Sequence, residues 1–278
     1  NGDVSFPMAS TYKIAMAAYG LSQVDAGTLS LQQMVVLQEN QRVVSSPLNR
    51  YLPYAGVSVS LQNLLFLMLT ESDNTATDLF LETIGGAAAV TAWLGREGIS
   101  PMRVDRSTAQ LLRQYAGLPE PQPGESYFDQ YETALAQQQL KTFSLDGSSE
   151  PYLAFEQDPQ DQATPAAMND LLLRLWKGEL LSASSTQLLK DIMLRCNTGN
   201  ERIKGMLPAG TLVAHKTGTI TGTLNDVGVV TLPNGKGHLL LSIFVKNAVG
   251  PWQDHERVIA EIARASFDYF IFSVVPAQ

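Results

Sequence analysis

Ser10 and Lys13 stand three positions apart in the stretch Ser10-Thr11-Tyr12-Lys13. Positions i and i+3 share one face of a helix, so a lysine amine there can reach a serine hydroxyl. A serine hydroxyl needs a neighbouring base to become a nucleophile. A lysine at a helix N-terminus and near other cations sheds its proton more readily, which makes it a usable base. Alone the pattern is common, because an N-capping serine followed by a solvated lysine gives the same letters.

Two further groups carry the same kind of chemistry. In Ser72-Asp73-Asn74 the serine can relay a proton to a leaving group, and the asparagine can hold an amide. Simple capping of the next helix by Ser72 or Asp73 is the plainer reading. In Lys216-Thr217-Gly218, followed by Thr219, the lysine brings positive charge and the strand edge offers backbone groups to an extended ligand. Gly218 leaves room for a ligand backbone to approach closely. An ordinary turn between strands would read the same way.

These groups fall where elements start or stop. Helix-forming residues run from Ser10 to about Leu21, with Pro7 just ahead. Leu61 to Leu69 is almost wholly apolar and predicts a buried helix that ends before Ser72. Thr75–Ile84, Ala87–Arg96, Pro165–Trp176 and Ser184–Arg195 predict further helices. Leu212–Thr217, Asn225–Thr231 and His238–Lys246 predict strands, the last two joined at Pro233-Asn234-Gly235. Asp254–Phe272 closes as a helix with Val258, Ile262, Ala265, Tyr269 and Phe272 on one stripe. Helices followed by a strand meander and a last helix predict an α+β fold, an antiparallel sheet flanked by helices plus a helical lobe.

Composition narrows the function classes. The chain has 278 residues, a net charge of −8, 45% hydrophobic residues and one cysteine. Such an acidic chain with no basic run is a poor partner for nucleic acid or an anionic membrane. No apolar run reaches the roughly 18 residues of a membrane span, and Asn1-Gly2-Asp3 shows no secretory leader. One cysteine supplies neither an internal disulfide nor a cysteine-rich metal site. Cys196 reads as a small buried hydrophobe. Strand alternation turns His215 away from the Lys216 side, as a structural residue. No spacing of His238 or His255 suggests a metal.

Together, and in this order, Ser-x-x-Lys, Ser-Asp-Asn and Lys-Thr-Gly are the motif set of class A β-lactamases and penicillin-binding proteins. Over nearly its whole length the chain resembles a class A serine β-lactamase, through Phe6–Ser10, Ser72–Gly86, Asp161–Met168, Asn197–Pro208 and Val213–Gly228 as well. The resemblance implies one catalytic domain over 1–278. Its helical lobe would span about 13–195, and its sheet lobe about 1–12 and 196–278. It implies Ser10 as nucleophile, Lys13 as proton acceptor and Ser72 as proton shuttle. The N–H groups of Ser10 and Thr219 would form the oxyanion hole. Asn74 would bind the substrate's acylamide. Lys216, Thr217, Gly218, Thr219 and Arg202 would line the site of its carboxylate. No cofactor or metal is implied, the partner is a small β-lactam, and the expected location is periplasmic or secreted.

The chain also departs from that family. A glutamate shortly after an Asp-Arg pair activates the deacylating water there. After Asp105-Arg106 the corresponding residue is Thr108, and the asparagine position is Leu112. Neither can act as a carboxylate base. The family's Arg–Asp loop closure maps to Arg106 and Asp161, implying an Ω-loop insertion over about 113–160, a stretch containing Pro119, Pro121, Pro123, Gly124, Gly147, Pro151 and Pro159. A helix is expected there over Tyr127–Gln139. Glu150-Pro151 is an alternative glutamate position, and Glu120, Glu125, Asp146, Glu156 and Asp158 are further loop carboxylates. Ser45 replaces an aromatic gatekeeper, for which Tyr51 or Tyr54 are candidate substitutes. The family carries a helix and a strand ahead of the nucleophile, whereas nine residues precede Ser10 here. Three functions therefore stay open: a lactamase with slow or unusual deacylation, a penicillin-binding or sensor-like module that stays acylated, and an esterase or peptidase with the same serine machinery.

Overall fold

The structure, a computed structural model, describes residues 1–54, 56–137 and 150–273, with only the backbone of Glu150 and Pro151. The chain opens with β1 (Phe6–Pro7), a 3-10 turn (Ala9–Tyr12) and α1 (Lys13–Asp25). β2 (Met34–Val36) and β3 (Ser58–Ser60) pair antiparallel around α2 (Pro47–Tyr51). α3 (Leu61–Thr70), α4 (Asn74–Thr83) and α5 (Ala87–Arg96) follow, then α6 (Thr108–Tyr115), α7 (Tyr127–Ala136) and α8 (Glu150–Gln157). β4 (Gln162–Ala163) pairs with β1 and leads into α9 (Pro165–Lys177) and α10 (Ala183–Met193). β5 (Val213–Ile220), β6 (Thr223–Thr231) and β7 (His238–Val245) form an antiparallel sheet in that order, and α11 (Trp252–Phe272) ends the described fold.

Local chemistry accounts for most boundaries. Ser60 caps α3 by accepting from Asn63 N, and Asp73 caps α4 by accepting from Ala76 N. α9 starts with Thr164 as cap and Pro165 in the first turn, and stops at Gly178 in the left-handed conformation. The largest core joins α1, α3, α4, α5, α9 and α10 to one face of the sheet through Ala214, Ile220 and Val227. Val213, Leu224, Val230, Leu241 and Ile243 point to the other face, against Ile259, Ala263 and Phe267 of α11. The helix-flanked antiparallel sheet is thus the expected α+β architecture.

Three expectations need correction. The first helix starts at Lys13, not Ser10. The Met8 carbonyl there already accepts from the Thr11 hydroxyl at 2.8 Å and from Asn225 Nδ2 at 3.0 Å, which tightens the chain into a 3-10 turn. On α11 the stripe chosen from the sequence faces outward: Val258 is 44% exposed and Phe272 78%. The helix carries two apolar stripes, and the one that packs holds the smaller Ala260 and Ala263, which let it lie close to the sheet. Between Arg106 and Asp161, α6 and α8 join the expected α7, which ends at Ala136. α6 opens with a capping box of Ser107 and Gln110. α8 docks through Tyr152, fully buried, whose ring lies where any Cβ on Gly222 would come within 2.5 Å.

Candidate active site

The turn that carries Ser10 is clamped onto the sheet. Asn225 of β6 donates from Nδ2 to the carbonyls of Pro7 (2.9 Å) and Met8 (3.0 Å). Gly218 of β5 has no side chain because a Cβ there would meet the Met8 carbonyl oxygen at 2.5 Å. The clearance this glycine gives is therefore towards the nucleophile's own segment. Ala9, just before Ser10, is held at φ +44°, and Ser72 at φ +57°. Non-glycine residues in this region cost about 1–3 kcal/mol and cluster at functional sites.

Lys13, Ser72, Asn74 and Lys216 converge from α1, the α3–α4 turn, α4 and β5. Lys13 Nζ donates to the Ser72 carbonyl at 2.8 Å, Ser72 Oγ at 3.2 Å and Asn74 Oδ1 at 2.9 Å. Lys216 Nζ donates to the same Ser72 Oγ at 2.9 Å and to the Thr217 carbonyl at 2.9 Å. Both amines are fully buried. Burial, and next the charge of Lys216, hold Lys13 well below the usual lysine range. Burial likewise brings Lys216 down to about 8. Among the described residues Lys13 makes no hydrogen bond to Ser10 Oγ; its amine is held instead by Ser72 and Asn74.

Asn74 Nδ2 donates to the Val44 carbonyl at 2.9 Å, so both ends of its amide are oriented. Asp73 holds the neighbouring loop, accepting from Ser46 Oγ at 2.7 Å and Leu48 N at 2.6 Å. Arg202, 4% exposed, donates to Thr219 Oγ1 at 2.8 Å and to the Asn225 carbonyl at 2.9 Å, and pairs with Glu256 at 3.1 Å. The cleft enclosed by these groups measures about 590 Å³ and is lined by Ser10, Ser72, Asn74, Arg202, Thr217 and Thr219.

Its opposite wall is α6, with Thr108, Leu111 and Leu112. Thr108 Oγ1 lies 2.6 Å from Tyr12 OH. Behind it, Asp78 accepts from the backbone of Thr108 (2.7 Å) and Ala109 (2.8 Å), and burial raises this carboxyl above its usual range. The loop stem is a buried ion pair, Arg106 Nε to Asp161 Oδ2 at 2.6 Å, joined by Asp158 at 2.8 Å. Glu120 pairs with Arg113, and Glu156 with Lys246. None of Glu120, Glu125, Glu156 or Asp158 lines the cleft. Asp146 and the Glu150 side chain lie outside the described residues. Glu71, next to Ser72, is the carboxylate that does line it among the described residues, and it accepts from Asn197 Nδ2 at 2.5 Å.

Several lining residues were not expected. Tyr51 and Tyr54 are 74% and 81% exposed and stand off the cleft, whereas Trp252 at the start of α11 lines it. Gly250-Pro251 just before Trp252 is the only local hint that this end of the helix faces a ligand. Asn225, an amide inside an apolar strand, was legible as an exception needing a partner.

The family model for the β-lactamase enzyme family matches residues 1–270. The chain belongs to that family. Two curated relatives come from Pseudomonas aeruginosa. β-Lactamase VEB-1 is 30% identical over 98% of this chain and 80% of its own length. Extended-spectrum β-lactamase PER-1 is 33% identical over 95% and 75%. A solved ancestral class A β-lactamase (GNCA) superposes with a TM-score of 0.75 at 31% identity, covering 96% of this chain and 86% of that one. Sequence and fold together make the chain a class A member of the family.

Proposed function

We propose that this class A serine β-lactamase opens the lactam ring through an acyl-enzyme on Ser10, and that breaking down this acyl-enzyme is its slow step. The observation that carries the first half is the Ser72 hydroxyl held between two buried amines, 3.2 Å from Lys13 and 2.9 Å from Lys216. Lys13, inclined to neutrality by burial and by Lys216, takes the proton as Ser10 Oγ attacks the lactam carbonyl carbon. The C–N bond then breaks. The nitrogen takes the Ser72 proton, and Lys13 returns one to Ser72. The backbone N–H groups of Ser10 and Thr219 stabilise the developing oxyanion.

The substrate's carboxylate meets Lys216, Thr217 and Thr219, with Arg202 acting through the Thr219 hydroxyl it already bonds. Asn74 takes the acylamide. Hydrolysis then needs a water directed at the ester carbonyl. The α6 wall offers it the Thr108 hydroxyl and two leucines, none of them a carboxylate base. General-base catalysis contributes roughly 10²–10⁴-fold, so a cleft without one would open the ring fast and release the product slowly. Membership of the family supports a periplasmic or secreted location; no helix among the described residues is long and apolar enough to cross a membrane.

The test is time-resolved mass spectrometry after mixing with a penicillin. A Ser10 adduct that forms quickly and decays over minutes, with opened drug released, is the expected result. An adduct stable over hours would make the chain a sensor-like acceptor. Ester cleavage with no lactam adduct would leave the esterase reading.

A further inference from the structure

Helix α6 separates two cavities. Thr108, Leu111 and Leu112 face the catalytic cleft, whereas Ala109, Gln110 and Arg113 line a second cavity of about 430 Å³ on the other side of the helix. The 3-10 turn Glu39–Gln41, α4 and Tyr127 at the start of α7 complete it. Among the described residues the two cavities share no lining side chain. The inner wall is buried: Val43 and Leu79 are covered, and Arg42 and Tyr127 are each only 4% exposed. Glu82 and Glu120 stand at the exposed rim.

Two groups of that inner wall keep polar atoms unspent. The Arg42 guanidinium donates no hydrogen bond among the described residues; its ion-pair partner is Glu39, 2.9 Å from Nε and itself 64% exposed. The buried Tyr127 hydroxyl has no hydrogen-bond partner among them either. Folded proteins pair most such groups, because an unpaired one is costly. The other charged groups of the inner wall are engaged: Asp78 holds the backbone of Thr108 and Ala109, and Arg113 pairs with Glu120. We propose that this cavity is a second binding site, for a small zwitterion with its charges at opposite ends, such as an ω-amino acid or a short peptide. The carboxylate of the ligand meets Arg42 and Tyr127, and its ammonium meets Glu82 and Glu125.

The chemistry of the lining selects that class. A guanidinium and a phenol that both lack an acceptor suit a carboxylate, which takes charge-assisted hydrogen bonds from each. A plain anion would meet the same donors, but only after passing the carboxylates of Glu82, Glu120 and Glu125, which repel it. Arg113 balances Glu120. Glu82 and Glu125 have amide partners instead: Glu82 accepts from Gln41 Nε2 at 2.8 Å, and Glu125 from Gln122 N and Gln130 Nε2, both at 3.0 Å. Neither is ion-paired with a cation among the described residues, so both have charge to offer an ammonium group. Val43 and Leu79 give the methylene part of such a molecule an apolar wall.

Calorimetric titration of the intact protein with ε-aminocaproate and with diglycine tests this, with caproate and hexylamine as matched probes that carry one charge each. Saturable binding of at least one zwitterion is expected, roughly tenfold or more tighter than either single-charge probe. Arg42→Gln and Tyr127→Phe should each weaken that binding by roughly tenfold. Tyr127→Phe removes a hydroxyl that has no partner in the free protein, so its Tm without ligand should stay level or rise while the binding falls. No saturable binding of either zwitterion, caproate binding as tightly as ε-aminocaproate, or an affinity that Tyr127→Phe leaves unchanged would overturn the proposal. None of these readings needs lactam turnover, so the site stands or falls apart from the fate of the Ser10 adduct.

Discussion

On the β5 side of the cleft, Lys216, Thr217 and Thr219 join Lys13, Ser72 and Arg202 in one mesh of hydrogen bonds between 2.6 and 3.3 Å. On the α6 side, Thr108, Leu111 and Leu112 present a single hydroxyl, already paired with Tyr12. The first wall draws on four separated stretches of sequence, and each of its buried cations is hydrogen-bonded. The second is one short amphipathic helix, behind which Asp78 accepts from the backbone amides of Thr108 and Ala109. In the proposed scheme, attack on the ring and activation of water would be housed on different walls, so one could change without the other.

Removing the nucleophile tests the first wall most severely. Ser10→Ala should abolish the covalent adduct and lower turnover of a chromogenic cephalosporin by roughly 10³–10⁶-fold, the range seen when an acting nucleophile is deleted. Residual turnover within tenfold of wild type would move the chemistry away from this wall.

The second wall depends on its stem. Arg106 and Asp161 pair at 2.6 Å with both side chains almost wholly buried, and Asp161 Oδ1 also accepts from Asp105 N at 2.7 Å. Breaking a buried pair from one side costs about 3–5 kcal/mol because the other charge is stranded. Arg106→Ala should lower stability by about that amount in urea titration. It should also slow deacylation more than acylation, since it loosens α6 and spares β5.

Building a base into the second wall is the direct way to erase the contrast. Thr108→Glu puts a carboxylate next to Tyr12, facing the cleft. It should shorten the adduct lifetime by roughly 10²-fold, at the low end of general-base effects. The complementary change Glu71→Gln, on the first wall, should leave that lifetime unaltered; a longer lifetime would make Glu71 the hidden base.

How much of this was legible from sequence differs between the same two walls. Ser10, Lys13, Ser72, Asn74 and Lys216 sit in short motifs whose residue types are set by chemistry, so they can be read from the letters alone. The supports of that wall were partly hidden. Asn225 and Asp226 look like polar blemishes in a strand until their partners across the sheet are seen. Cys196 reads as a small hydrophobe, and it is buried, though its sulfur also lies 3.3 Å from the Thr198 hydroxyl. On the second wall, position Thr108 was found by counting from Asp105-Arg106. The helices α6 and α8 were not, because each is only eight residues long and flanks a proline-rich stretch. The closing helix misled for another reason: α11 has two apolar stripes, and periodicity cannot rank them. Which one packs depends on how closely Ala260 and Ala263 let the sheet approach.

The smallest effect expected is in the pH dependence, and it separates the walls without any mutation. In the proposed scheme acylation uses Lys13 neutral and Lys216 charged. Lys13 is held well below the usual lysine range, so the fraction able to accept a proton grows as pH rises. Lys216 titrates at about 8, so its charge for the substrate carboxylate is lost as pH rises through that value. The acylation rate should therefore pass through a maximum and fall on the alkaline side, approaching a tenfold loss per unit beyond the Lys216 midpoint. The α6 wall holds hydroxyl and leucine side chains and, behind them, a carboxylate. Burial raises Asp78 above its usual range while it accepts from two backbone amides. Burial also pushes Tyr12 well above the usual phenol range, so it stays protonated. Thr108, Leu111 and Leu112, the described residues of α6 that line the cleft, carry no titrating group, so the deacylation rate should stay flat across the interval in which acylation declines. Single-turnover acylation and adduct decay, followed in the same buffers, measure the two curves. A decay rate that bends at the same pH as acylation would mean that Lys13 or Lys216 also drives the water, and that one wall does the work of both.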